Sequence, residues 1–171
     1  MSDLKQYIRN IPDFPKKGIL FRDITTLLKD GKKFKEVIDK LADRYSGKKI
    51  DAVVAVESRG FIFGSALAYK LGAAFVPVRK KGKLPFKTLQ ATYTLEYGED
   101  TLEMHEDAFK PGARILLVDD LLATGGTLGA VADLVKRLKG QIQEAAFIIE
   151  LSDLKGRDKL KDTPVYSMVR Y

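Results

Sequence analysis

Apolar and polar residues follow two rhythms along this chain, and the order in which they alternate predicts a fold. Leu4, Ile8 and Ile11 stand at helical spacing, which predicts a short amphipathic helix over residues 3–11, ended by Pro12 and Pro15. Residues 12–30 read as loop, with a small strand or turn over 18–25 packed as a surface cap. Asp30 is placed to cap a helix running to Tyr45, with Phe34, Val37, Ile38, Leu41 and Tyr45 on one face. Lys32, Lys33, Lys35 and Lys40 take its wet side, and Gly47 closes it. Residues 52–56 form an apolar strand, 57–60 a polar turn, 61–71 a helix and 74–78 another strand. Strand, helix and strand at this spacing imply a right-handed crossover and parallel pairing.

Residues 79–91 carry no core pattern. Alternation returns over 91–97 and 101–105, joined through Gly98, which predicts a β-hairpin. Pro111-Gly112 turns the chain into 115–118, four apolar residues that read as a strand buried on both faces. A helix over 126–139 ends at Gly140, then come a strand over 143–150, a charged turn or short helix over 154–161, and a last strand over 164–169. The expectation is an α/β fold: a central, mainly parallel twisted sheet flanked by helices, with a hairpin flap (79–105) and a small N-terminal hood (1–30), all in one domain spanning 1–171.

Composition narrows the chemistry. With 171 residues, 45% hydrophobic and 31% charged, the chain suits one globular domain with a sizeable core. It has no cysteine, which excludes disulfides, thiolate metal sites and a cysteine nucleophile, and its one histidine, His105, excludes a histidine-rich zinc site. No apolar run approaches the ~20 residues that span a bilayer, so no membrane association and a cytoplasmic location are expected. A net charge of +7 fits nucleic acid or small polyanions. The lysine face of the 30–45 helix reads as solvation, so nucleic acid is not an expected partner.

The chemistry centres on residues 115–127. Asp119 and Asp120 leave the apolar strand, and Ala123, Thr124, Gly125, Gly126 and Thr127 precede the next helix. A glycine-rich turn between strand and helix presents unpaired backbone N–H groups, and the helix dipole adds positive charge, so the turn suits a phosphate. Two carboxylates would repel a bare anion, but they suit a phosphate carried on a ribose, whose hydroxyls they can hold. Successive strand residues point to opposite faces, so the two are not expected to act as one acid–base pair. The alternative is an ordinary strand–turn–helix with solvated acids. The turn at Glu57, Ser58 and Arg59 is a second candidate anion site, where Arg59 can neutralise an oxyanion. Arg79, Lys80, Lys81 and Lys83 cluster at a strand's C-terminal end, where open α/β sheets bind ligands; a plain surface loop is the competing reading. No G-x-x-x-x-G-K-[ST] occurs, and no G-x-G-x-x-G follows a strand.

The 115–127 stretch resembles the phosphoribosyl diphosphate signature of the type I phosphoribosyltransferases. From about residue 11 onward the chain is further similar to the adenine phosphoribosyltransferases, through segments 13–15, 18–23, 57–61, 79–85, 92–98 and 154–157. The resemblance implies the type I fold, a homodimer, and Mg2+-dependent conversion of adenine and phosphoribosyl diphosphate to AMP and pyrophosphate in purine salvage. It implies that 123–127 hold the 5-phosphate and Asp119 and Asp120 the ribose hydroxyls. The turn at Glu57, Ser58 and Arg59, with a cis Glu57–Ser58 bond, would hold pyrophosphate together with Arg79, Lys80 and Lys83. Adenine would lie between Phe21 and Leu121, read by the backbone of Leu20 and Arg22, with Glu96 handling its proton. Glu96, Arg59 and Lys83 are the implied catalytic residues. No protein side chain is implied as a direct metal ligand: the Mg2+ would ride on the diphosphate, with Asp119 and Asp120 reaching it through water. Transfer to another purine base, or a phosphoribosyl diphosphate-sensing regulator of the same fold, are the alternatives.

Overall fold

The computed structural model describes residues 4–95 and 98–171. The chain forms two compact units, Met1–Asp43 and Arg44–Tyr171. In the first, a 3-10 turn over Leu4–Tyr7 leads into strands β1 (Arg9–Pro12) and β2 (Leu20–Asp23), antiparallel with Arg9 opposite Asp23 and Pro12 opposite Leu20. This corrects the helix expected over 3–11, whose second half is extended. The physical reason lies fourteen residues away. Asp23, only 7% exposed, accepts Arg9 Nε at 3.0 Å and Nη2 at 2.6 Å, and it also takes the Thr25 N–H and hydroxyl. Burial pushes the Asp23 carboxyl up, but these donors outweigh it and hold it below its ordinary range. Three apolar residues could not signal that pairing. A one-turn helix α1 (Thr25–Leu28) follows, then α2 (Gly31–Tyr45). Asp30 caps α2 as expected, its Oδ1 accepting the Lys32 and Lys33 N–H groups at 3.1 Å.

The second unit is built on strands β3 (Ala52–Val56), β4 (Ala74–Lys80), β5 (Thr88–Leu95), β6 (Gly98–His105), β7 (Arg114–Leu122), β8 (Gln141–Glu150) and β9 (Val165–Arg170). They form one sheet in the order β5-β6-β4-β3-β7-β8-β9. Strands β4, β3, β7, β8 and β9 run parallel, while the β5–β6 hairpin joins antiparallel through β4. Val53, Val54, Ala55 and all of Ile115–Val118 are fully buried, as apolar runs in a doubly covered parallel sheet must be. Helix α3 (Arg59–Leu71) follows β3, and α4 (Gly126–Arg137) follows β7. Short 3-10 segments occupy Ser152–Leu154 and Gly156–Leu160, matching the charged turn expected there. No helix among the described residues is long and apolar enough to cross a membrane.

Candidate active site

The connections of this sheet diverge at one place. From β3 the chain crosses through α3 to β4 on one side; from β7 it crosses through α4 to β8 on the other. Strands β3 and β7 are neighbours, so their C-terminal ends flank a topological switch point, where open α/β sheets leave a crevice. A cleft of about 480 Å3 lies there, lined by both strand ends and the turns that follow them.

Strand β7 runs four residues past its apolar core, carrying Asp119 and Asp120 into the cleft wall. Asp119 Oδ1 accepts the Asp120 N–H at 2.9 Å, and a β-carbon added at Gly60 would stand 2.8 Å from the same oxygen. Glycine at position 60 therefore lets the start of α3 approach this carboxylate. Asp120 is 4% exposed, and its Oδ2 lies 2.9 Å from Arg59 Nε. Burial first, then the charge of Asp120, pushes the Asp119 carboxyl well up; burial also raises Asp120, against the pull of Arg59. Alternation separates the two side chains along the strand, yet the charge of Asp120 still reaches Asp119. Gly125 caps α4 at φ +80°, a left-handed conformation that glycine takes without steric penalty. Ala123, Thr124, Gly125 and Thr127 line the cleft beside the N-terminus of α4, with its outward N–H groups.

The opposite wall is the turn at Glu57, Ser58 and Arg59, with the Glu57–Ser58 bond cis. Glu57 gathers the basic segment. Its Oε2 accepts Arg79 Nη2 at 3.0 Å and lies 3.6 Å from Lys83 Nζ, while its Oε1 accepts the Lys80 N–H at 2.6 Å. Burial pushes this carboxyl up, but the Lys80 N–H and the Arg79 and Lys83 charges hold it below the ordinary range. The Lys80 side chain points elsewhere, pairing with Asp100 of β6 at 3.0 Å, which raises its pKa. The Tyr93 hydroxyl of β5 reaches Asp100 at 3.5 Å.

Glu57, Ser58, Arg59, Lys80, Asp119, Asp120, Leu121, Ala123, Thr124, Gly125 and Thr127 thus meet around one cleft. Arg79 and Lys83 stand one contact back, on Glu57. Gly126 opens α4 beside the cleft without lining it. Leu20, Phe21 and Arg22 lie on β2 of the first unit, where the Phe21 ring meets Phe14 edge-on at 5.1 Å and Arg22 bonds Asn10. Glu96 falls outside the described residues. Reading the sequence missed Tyr93 and Asp100, which the hairpin register sets opposite each other, and missed the approach of Gly60 to Asp119. Only an exact strand register would have signalled the first pair.

Comparison with known proteins agrees with this geometry. The phosphoribosyl transferase domain family matches residues 25–170. An adenine phosphoribosyltransferase of Syntrophotalea carbinolica is 60% identical over 171 residues, covering all of both chains. The crystal structure of adenine phosphoribosyltransferase from Thermoanaerobacter pseudethanolicus superposes with a TM-score of 0.95 at 53% identity, over 98% of each chain. That of Saccharomyces cerevisiae, complexed with an imino-altritol bisphosphate and adenine, has a TM-score of 0.92 at 42% identity, over 97% of this chain and 96% of that one. Full-length identity of this order, on a sheet whose switch point carries an acid pair and a glycine-rich turn, means that the chain belongs to the adenine phosphoribosyltransferases of the phosphoribosyl transferase domain family.

Proposed function

We propose that this chain transfers the 5-phosphoribosyl group of phosphoribosyl diphosphate to adenine, giving AMP and pyrophosphate. The observation that carries the reading is the switch-point cleft, which sets two carboxylates between two turns suited to anions. The turn at 123–127 takes the 5-phosphate, Asp119 and Asp120 the ribose hydroxyls, and Glu57, Ser58 and Arg59 the diphosphate. Breaking the C1–oxygen bond builds positive charge on the ribose and negative charge on the leaving diphosphate. Arg59 and Lys83 meet that negative charge, with Arg79 and Lys80 beside them. Phe21 and Leu121 enclose the adenine ring, and the backbone of Leu20 and Arg22 reads its edge. Glu96 accepts the proton that adenine loses as its nitrogen bonds to C1. The 79–105 flap excludes water from the reacting ribose, and residues 1–30 form the hood over the base.

The two carboxylates are hard oxygen donors, and they fit a Mg2+ ion carried in on the diphosphate and reached through water. Among the described residues no cluster of three or more histidine, cysteine or acidic side chains forms a cage of its own. When bound, the ion neutralises diphosphate oxygens and makes the group a better leaving group. A cytoplasmic homodimer completes the proposal.

The test is pyrophosphate release over a panel of adenine, hypoxanthine, guanine and orotate, with phosphoribosyl diphosphate and Mg2+ present or withheld. Release with adenine alone among the bases, needing both, is the expected result. Release with another base instead would reassign the substrate. Tight phosphoribosyl diphosphate binding without turnover on any base would favour the regulator reading.

A further inference from the structure

Gly125 of the phosphate turn is backed by Gly156, a glycine to which no role has been given above. A β-carbon on Gly125 would collide with the carbonyl oxygen of Gly156, and one on Gly156 would collide with the Ala123 carbonyl and lie 2.8 Å from Leu122 Cδ1. The turn and the loop at 155–157 therefore meet backbone to backbone, with no side chain between them. Lys155 leads into this contact at φ +50° and Gly156 is buried. What fixes the loop is Arg157. Its Nε donates to Glu150 Oε1 at 2.6 Å, its Nη2 to Glu150 Oε2 at 2.7 Å, and its Nη1 to the Val165 carbonyl at 3.0 Å. Glu150 is 5% exposed, and the Arg157 guanidinium holds its pKa down to about 2. Glu150 ends β8, and the next N–H, that of Leu151, donates to the Leu122 carbonyl at 2.9 Å, at the end of β7. An unbroken path of short contacts thus runs from the sheet, through Glu150, Arg157 and Gly156, to the back of the turn.

We propose that Gly156, Arg157 and Glu150 are positioning residues for the 5-phosphate, acting as a rear wall that aims the amides of residues 123–127. The proposal rests on the reading of that turn as the phosphate seat. Amide donors hold an oxyanion only when aimed to within a fraction of an ångström, so a wall that fixes backbone direction acts on affinity at one end of the substrate. The diphosphate turn at 57–59 lies on the opposite wall of the cleft and does not touch this path.

The experiment compares wild type with Arg157→Ala, Arg157→Lys, Glu150→Gln and Gly156→Ala. It measures KM and kcat for each substrate, calorimetric binding of ribose 5-phosphate and of pyrophosphate, and thermal melting. Arg114→Ala is the control, because Arg114 makes an equally two-pronged pair with Asp51 at the far end of β7. Expected are a rise of about 10- to 100-fold in KM for phosphoribosyl diphosphate and in the ribose 5-phosphate Kd. Pyrophosphate binding and the adenine KM should stay within about 2-fold of wild type. Arg157→Lys keeps the charge but not the fork, so it should fall between wild type and alanine. If Arg157→Ala does not fold, Arg157→Lys and Glu150→Gln decide. Variants that melt lower, as the control does, yet bind ribose 5-phosphate like wild type would overturn the proposal. Equal weakening of pyrophosphate and ribose 5-phosphate would also overturn it. A wild type that binds pyrophosphate but not ribose 5-phosphate would instead remove the phosphate-seat reading, and this proposal with it.

Discussion

Asp119 and Asp120 show what a residue gives up to serve a site. Both carboxyls are pushed above their ordinary range, Asp119 by burial and then by the charge of Asp120, and Asp120 by burial despite Arg59. An acid whose folded pKa is raised favours the folded state most below the unfolded value, here 3.8, and that advantage is lost as pH rises through the raised folded value. At neutral pH the ligand-free protein therefore carries this pair at a loss, which substrate hydroxyls and a cation would relieve. Asp119→Asn should melt higher, by about 1 kcal/mol, and its stability should depend less on pH above 4. It should also lose the charge-assisted bonds proposed to the ribose hydroxyls, worth about 1.5–3 kcal/mol, lowering kcat/KM for phosphoribosyl diphosphate about 10- to 100-fold. Thermal melts from pH 4 to 8 beside steady-state kinetics check both halves. A variant that is less stable yet fully active would contradict the account. Glu96→Gln addresses the proposed proton acceptor: kcat should fall by about 10²-fold or more, with KM for adenine little changed. Unaltered turnover would remove that role.

At the scale of elements, legibility followed the length and purity of the apolar pattern. The buried strands 52–56 and 115–118 and the capped helix from Asp30 were readable because long periodic runs leave few alternatives. Strand β1 was not, since its extended state depends on Arg9 meeting Asp23, a contact that spacing cannot encode. Strand β7 was readable only as far as Val118; its continuation through Leu122 rests on pairing with β8, and that continuation sets the acids in the cleft wall. The glycine-rich turn at 123–127 was visible, whereas its rear wall at Gly156 was not, because two glycines far apart in sequence carry no mark of touching. Glycine inside α3 makes the same point with a measurable outcome. A β-carbon on Gly64 would lie 2.6 Å from the Ala55 β-carbon on β3, so α3 sits closer to the sheet than any side chain there would allow. Gly64→Ala gains helix propensity, yet it should destabilise by about 1–3 kcal/mol through overpacking. Urea unfolding measures the change; a stabilised variant would show that α3 can move off β3 freely.

The whole molecule joins these parts through charge. The net +7 is not spread as a uniform coat, because the cations nearest the cleft are held by internal acids: Arg79 and Lys83 by Glu57, Lys80 by Asp100, Arg59 by Asp120. A polyphosphate entering the cleft competes with these carboxylates for the same cations. Duplex DNA, needing a broad basic face, meets fewer cations free to neutralise its backbone, and its nonspecific binding should be weak at physiological salt. The long-range field nevertheless favours any small polyanion approaching the switch point. Screening separates this field from contact chemistry, since the Debye length shrinks from about 30 Å at 0.01 M salt to about 3 Å at 1 M. Between those limits kcat/KM for phosphoribosyl diphosphate should fall several-fold at saturating adenine, while kcat/KM for adenine, a neutral base, at saturating phosphoribosyl diphosphate should change little. Stopped-flow or steady-state rates across a salt series, with chloride and acetate compared to exclude specific anion binding, make the measurement. Parallel loss for both substrates would place the salt effect on the fold, and retention of DNA at the salt level that weakens phosphoribosyl diphosphate capture would reverse the order of partners argued from the paired cations.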